Sequence, residues 1–199
     1  MITLYHSPRS RSSRIIWLLE ELETPYRIEI VPIVRGDGTG SPAPDSYLAI
    51  NPLRKVPTIR IYDEIVYESG AICLYLTDTF QKKQMGPPPG HNDRAEYLRW
   101  LFLCTATLEP AVGARLQGWD KDKPTGFGKL EDIEAVYARQ LEQTPYLLGD
   151  NFSAADILLG SFLMFFRNTV FPARKHYDDY VARLQARPAY ARAQAKDNG

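Results

Sequence analysis

Residues 86–90 read GPPPG, and three consecutive prolines can continue neither a helix nor a central strand. The chain must therefore break there, and the segment reads as a semi-rigid linker between two regions with different periodicities. Before it, strand-like and helix-like stretches alternate. Ile2 to Tyr5 predicts a strand. Ile15, Leu18, Leu19 and Leu22 recur at helical spacing, with Ile16 and Trp17 widening the apolar face, and Pro25 stops that helix. Tyr26 to Val31 predicts a second strand, rich in β-branched Ile28, Ile30 and Val31. Residues 35–45, RGDGTGSPAPD, predict a flexible excursion. Thr58 to Ile61 and Ile65 to Tyr67 flank Tyr62-Asp63-Glu64 as an antiparallel hairpin, and Ser69 opens a second helix through Ala71, Ile72, Leu74, Tyr75 and Leu76. This order describes a small mixed sheet covered by helices.

After the break the pattern is helical. Residues 92–117 predict one long helix that Pro110 bends or divides, with Tyr97, Leu98, Leu101, Cys104, Leu108 and Val112 as core candidates. Further helices are expected at 130–143 and 153–167, with a shorter, interrupted region over 177–193 around Pro188. The sequence FSAADI carries a capping box, Ser153 with Asp156, flanked by Phe152 and Ile157 at the staple positions. The expected division is 1–80, a linker at 81–91, and an all-helical domain at 92–199.

Composition narrows the function classes. A 44% hydrophobic content over 199 residues supports globular domains rather than disorder. With 24 basic and 24 acidic residues the formal charge is zero, which argues against a nonspecific nucleic-acid binder. No apolar run reaches the length of a membrane span, and charged Arg9, Arg11, Arg14 and Glu20 interrupt any signal-peptide pattern, so neither membrane insertion nor secretion is expected. Cys73 and Cys104 both lie in apolar helical patterns and are expected to be buried and unreactive rather than a redox pair. Three scattered histidines, His6, His91 and His176, offer no metal-ligand spacing, so no metal site is expected.

Three junctions carry possible chemistry. In HSPRSRSSRIIWLLEEL, residues 6–22, Ser10 is a plausible N-cap, followed by Arg11, Ser12 and Ser13; unpaired amides, the helix dipole and Arg11 and Arg14 would attract an anion, unless the serines only cap the helix. Val56-Pro57 precedes the third strand. A cis bond there would turn the Val56 backbone outward to clamp an extended peptide-like ligand, whereas a trans proline would merely lead the strand. Glu68-Ser69 opens the next helix, where Ser69 could cap it or accept a carboxylate while Glu68 meets an ammonium. Taken together, these junctions suit a short peptide with an α-amino-acid end and a thiol near the first helix.

The pieces SRSSRIIWLLEEL (10–22), YLAINPLRKVPTI (47–59), YESGAICLYL (67–76), RAEYLRWLF (94–102) and SAAD (153–156) resemble, in order and over nearly the whole length, cytosolic glutathione S-transferases of the bacterial and fungal branch whose opening helix reads like SRSxRIxWLLEEL. The resemblance implies an α/β thioredoxin-like N-terminal domain that binds glutathione, an all-α C-terminal domain that supplies much of the second-substrate pocket, and a cytoplasmic homodimer. It assigns Val56 to backbone pairing with the cysteinyl part of glutathione, with Pro57 cis, and Glu68 and Ser69 to the γ-glutamyl end. Lys55 and Asn51 would lie near the glycyl end or support the loop, and Arg11 or Arg14 would help the electrostatics or pack against the loop or domain interface. For the thiol, Ser7 is the first candidate, then Ser10 and Ser12, with Tyr5 or backbone activation behind them. His6 is set aside as a base because adjacent strand residues face oppositely. Second-substrate candidates are Tyr97, Leu101, Thr105, Leu108 and Phe165 or Phe166, unless they serve the core.

The chain departs from the family in places. It has no CxxC and no cysteine before Cys73, which argues against dithiol chemistry and against a cysteine-type transferase. Arg54 stands where the family often has glycine, and either alters the glycyl-end pocket or faces water. The expected function is detoxifying conjugation of glutathione, as cosubstrate, to a small hydrophobic electrophile, with a peroxidase side activity. Glutathione-dependent disulfide reduction, dehalogenation or isomerisation is the alternative, as is a noncatalytic glutathione-binding or interaction module.

Overall fold

The computed structural model describes residues 1–120 and 125–197. Within them the chain divides into two compact units: Met1–Thr79 together with the segment from Pro188 onward, and Phe80–Arg187.

The first unit is built on β1 (Ile2–His6), buried at every position. Its neighbours are β2 (Tyr26–Ile30), which pairs with it in parallel, and β3 (Thr58–Ile61), which pairs antiparallel and continues to β4 (Glu64–Tyr67). The sheet order is β2-β1-β3-β4. Parallel pairing of β1 with β2 requires a crossover, and α1 (Ser13–Leu22) supplies it. Its apolar stripe fills the core, with Ile15, Ile16, Leu18 and Leu19 fully buried. The helix ends one turn before Pro25 because Glu23 adopts a left-handed conformation, φ 50°, and its N–H turns back to Glu20 O. The excursion after β2 contains one bridge, Val34 with Gly40, and a short 3₁₀ turn at Asp45–Ala49. Between β4 and the linker runs α2 (Ser69–Thr79), which buries Ile72, Cys73 and Leu76. Burial pushes the Cys73 thiol up to about 12, as expected for an unreactive core cysteine, and Cys104 is buried too.

The second unit begins with α3 (Arg94–Phe102), which passes through a π-helical turn at Leu103–Leu108 into α4 (Glu109–Leu116). Proline lacks an N–H and its ring crowds the carbonyl four residues back. Here the Glu109 N–H reaches back five residues to Cys104 O, and this wider turn admits Pro110 without a helix break. The unit is completed by α5 (Leu130–Gln143), α6 (Ala154–Val170) and α7 (Lys175–Gln185), around fully buried Trp100, Tyr137, Phe162, Tyr177 and Tyr180. The box that opens α6 forms: Asp156 accepts the Ser153 N–H at 2.9 Å and the Ser153 hydroxyl at 3.0 Å. It also accepts the Leu147 N–H and the Tyr180 hydroxyl, both at 2.9 Å, so the carboxylate ties α6 to the preceding loop and to α7. Burial raises Asp156 to about 6 against the pull of these donors.

The region expected as one interrupted C-terminal stretch is two helices. The second, α8 (Pro188–Asp197), packs along α1 in the first unit, although the sequence division at 81–91 groups it with the helical half. Arg192 Nε donates to Glu20 Oε2 at 2.8 Å, Lys196 pairs with the same carboxylate, and Tyr190 meets the Trp17 ring edge-on at 5.0 Å.

Candidate functional site

Strand register gathers the three expected junctions at one end of the sheet. Tyr5 pairs with Thr58, and Thr58 with Tyr67. His6-Ser7 therefore leaves β1, Val56-Pro57 enters β3 and Glu68-Ser69 leaves β4 side by side, on strands spaced about 4.8 Å apart.

At the first junction the chain does not enter the helix at Ser10. A turn with Arg9 at φ 52° intervenes, and α1 begins at Ser13 with Ser12 in the cap position. Ser12 is fully buried and its hydroxyl is occupied. It lies 2.7 Å from His6 Nδ1, accepts the Ser7 N–H at 3.1 Å, and reaches Ser7 O at 3.2 Å and Ser10 Oγ at 2.7 Å. Ser10 donates to Ser7 O at 2.7 Å and accepts the Ser12 N–H at 3.2 Å. Both hydroxyls thus hold the loop, the capping role that was the alternative for these serines. The Ser7 hydroxyl takes part in no hydrogen bond among the described residues, while the Ser7 backbone is gripped on both sides.

His6 is buried behind this loop, and desolvation lowers its pKa despite the neighbouring Asp197 carboxylate. Its Nε2 lies 3.3 Å from Asp197 Oδ1, an electrostatic contact rather than an aligned hydrogen bond. Asp197 also accepts the Arg9 N–H at 3.2 and 3.3 Å and the Ser13 hydroxyl at 2.5 Å. Sequence reasoning missed this residue. It stands 188 positions from Arg9, at the end of a helix whose pattern marks only a packing face.

At the second junction the Val56-Pro57 bond is cis. Asn51, buried, donates to Lys55 O at 2.9 Å and to Thr58 Oγ1 at 3.0 Å, and accepts the Leu53 N–H. The Tyr47 hydroxyl lies 2.9 Å from the same two acceptors. Asn51 is therefore a loop brace, whereas the Lys55 side chain is exposed. Arg54, at φ 54°, reaches Ala43 O at 3.0 Å and Asp45 Oδ1 at 2.6 Å, so it ties down the excursion rather than facing water. Tyr5 packs with Tyr47, Val31, Ala43 and Val56, and burial raises its pKa.

At the third junction Glu68 sits at φ 73° with its side chain exposed, and its carbonyl accepts the Ile72 N–H at 2.9 Å. Glu68, not Ser69, holds the cap position, and Ser69 is the first, buried residue of α2. A non-glycine residue held in this region costs about 1 kcal/mol or more, and such outliers cluster where ligands are gripped. Of the supporting arginines, Arg11 is exposed and Arg14 buried against the first unit's core.

The second-substrate candidates fare differently. Tyr97, Leu101 and Leu108 are fully buried inside the helical unit and offer no surface to a ligand, which corrects that expectation. Thr105 donates to Leu101 O at 3.0 Å. Phe165 is 70% exposed and stacks with half-buried Phe166 at 5.4 Å, leaving these two as the open aromatic surface of the set. Among the described residues no His, Cys, Asp and Glu cluster could hold a metal ion, and no helix is long and apolar enough to cross a membrane.

Residues 4–87 match the N-terminal domain of glutathione S-transferases, and residues 120–193 match their C-terminal domain. The chain is 28% identical over 215 aligned positions to the disulfide-bond oxidoreductase YfcG of Escherichia coli, covering 98% of this chain and 95% of that protein. Glutathione S-transferase 3 of Schizosaccharomyces pombe is 38% identical over 120 residues, 57% of this chain; the match spans 45% of that longer relative. Among solved structures, a glutathione transferase from Methylococcus capsulatus superimposes with a TM-score of 0.79 at 25% identity, covering 100% of this chain and 99% of that one.

Proposed function

The chain belongs to the glutathione S-transferase family and is an enzyme of it, and from that premise we propose that it activates the thiol of glutathione beside Ser7 for attack on a small hydrophobic electrophile. The observation that carries this reading is the unengaged Ser7 hydroxyl at the sheet end where three junctions meet. Ser10, Ser12 and Ser13 spend their hydroxyls on the loop and on Asp197, so Ser7 alone of the four keeps a donor for an incoming sulfur. The thiolate is the nucleophile; the serine only stabilises it. Lowering a thiol pKa from about 8.5 by two units takes about 3 kcal/mol, the order supplied by one charge-assisted hydrogen bond and the N-terminus of α1.

In this reading the Val56 backbone pairs with the cysteinyl unit, Glu68 and the Ser69 amide take the γ-glutamyl end, and Lys55 takes the glycyl carboxylate. Arg11 and Arg14 supply positive potential. The domains are 1–80 and 92–199, the working form is a cytoplasmic homodimer, and peroxide reduction by glutathione is a side activity. The test is thiolate absorbance of bound glutathione as a function of pH. Ser7→Ala is expected to raise the apparent thiol pKa by about one unit or more, and an unchanged titration refutes the assignment.

A second reading is glutathione-dependent disulfide reduction. It is favoured by the full-length similarity to a disulfide-bond oxidoreductase. Both cysteines are buried, so such a reaction would run through glutathione's own sulfur. Turnover of a mixed disulfide without conjugation of model electrophiles would select it.

A further inference from the structure

We infer that Asp197, at the end of α8, is a positioning residue for the thiol-activating loop, acting through His6 and Ser12; this rests on the reading that the sulfur comes to Ser7. The chain of contacts has a definite polarity. A carboxylate beside Nε2 favours the tautomer with its proton on Nε2, which leaves Nδ1 as an acceptor. The Ser12 hydroxyl, 2.7 Å away, then donates to Nδ1 and its oxygen accepts the Ser7 N–H at 3.1 Å, while the Ser10 hydroxyl donates to Ser7 O at 2.7 Å. Ser7 is thereby fixed by its backbone and its own hydroxyl is left over. Asp197 fixes the loop a second way, by holding the Arg9 N–H and the Ser13 hydroxyl on either side of Ser10.

Every group in the chain is buried or half-buried, so water does not substitute for a lost partner at low cost. An amide in place of the carboxylate removes the negative charge beside Nε2 and leaves its NH₂ facing one of three donors, Nε2–H, the Ser13 hydroxyl or the Arg9 N–H, so the preference for a proton on Nε2 is lost and an Nδ1–H can point toward Ser12. The Ser12 proton would then compete for Ser7 O and Ser10 Oγ, and the loop would lose its single arrangement. Docking of α8 does not rest on Asp197 alone, because Arg192 and Lys196 hold Glu20 and Tyr190 packs on Trp17.

The experiment titrates the thiol of bound glutathione in the full-length protein and measures kcat and KM with one model electrophile. Asp197→Asn is expected to raise the apparent thiol pKa by about one unit and lower kcat at pH 6.5 roughly tenfold, with KM for glutathione within about twofold. Arg192→Ala, which loosens α8 at its other tether, is expected to leave the thiol titration unchanged. Equal rises in both variants would mean that helix docking alone matters, and would overturn the inference. A rise in Ser7→Ala with none in Asp197→Asn overturns it while sparing the Ser7 assignment; no rise in Ser7→Ala removes that assignment and the inference with it. Should Asp197→Asn not fold, ¹⁵N shifts of His6 in the unmodified protein decide the matter. A proton on Nε2 supports the relay and a proton on Nδ1 refutes it.

Discussion

Replacing Asp156 by alanine removes the shared acceptor of four hydrogen bonds, from Leu147 N–H, Ser153 N–H, the Ser153 hydroxyl and the Tyr180 hydroxyl. Asp156, Leu147, Ser153 and Tyr180 are all at most 1% exposed, so the donors would be stranded away from solvent. Leaving a buried donor unpaired costs about 1–3 kcal/mol, but the vacated volume can admit a water that recovers part of this. Stranding four neutral donors, with part recovered by water, sums to about 3–5 kcal/mol. With a urea m-value of about 2 kcal/mol/M, the unfolding midpoint should fall by about 2 M, a large part of a typical total stability of about 5–15 kcal/mol. Tyr180→Phe, which keeps the ring and deletes one donor, should cost only about 1 kcal/mol. Urea titration followed by circular dichroism and tryptophan fluorescence measures both; a midpoint shift below about 0.5 M for Asp156→Ala would refute the network argument.

The same carboxyl makes a pH signature. Its folded pKa, about 6, lies above the ordinary 3.8, so the protonated form is the one the fold favours. The associated stability is fully present below 3.8 and is lost as pH rises through about 6, an effect of roughly 3 kcal/mol. Asp156→Asn cannot ionise, so its stability relative to the unmodified protein should improve between pH 4 and 7; a pH-independent difference would contradict this.

Three further outcomes are expected. Gly86→Ala would place a Cβ 2.7–2.8 Å from the ring and hydroxyl of fully buried Tyr97, and overpacking of about 1–3 kcal/mol should lower the melting temperature by about 3 °C or more. Glu68→Gly suits the φ of 73°, so stability should hold within about 1 kcal/mol while calorimetry shows weaker glutathione binding; an equal loss of both would mean that Glu68 serves the fold alone. Cys73, with its thiol near 12, should resist a disulfide reagent at pH 8 until denaturant is added, and rapid labelling of the native protein would refute its burial.

What was legible in the sequence was local. The spacing of Ile15, Leu18, Leu19 and Leu22 marks α1 correctly because a helix face repeats within a few residues, and the alternation around Tyr62 marks the hairpin for the same reason. Backbone signs were less accessible. Nothing in the identities of Arg9 and Glu68 announces positive φ, so the sequence points to caps at Ser10 and Ser69, whereas the caps fall at Ser12 and Glu68. Facing was hidden too. Tyr97, Leu101 and Leu108 are as apolar as a ligand wall would be, and only packing reveals that they point into the core. Least accessible was the pairing of His6 with Asp197, because a contact across nearly the whole chain leaves no periodic trace.

The return of α8 gives the first unit a peculiar history of manufacture. Its sheet and first two helices leave the ribosome early, but the helix that covers Trp17 follows only after the whole helical unit has been made. At about 5–20 residues per second the intervening stretch occupies roughly 5–20 s of translation. Throughout that interval an apolar helix face waits without its cover, the condition in which nascent chains come to need holding factors.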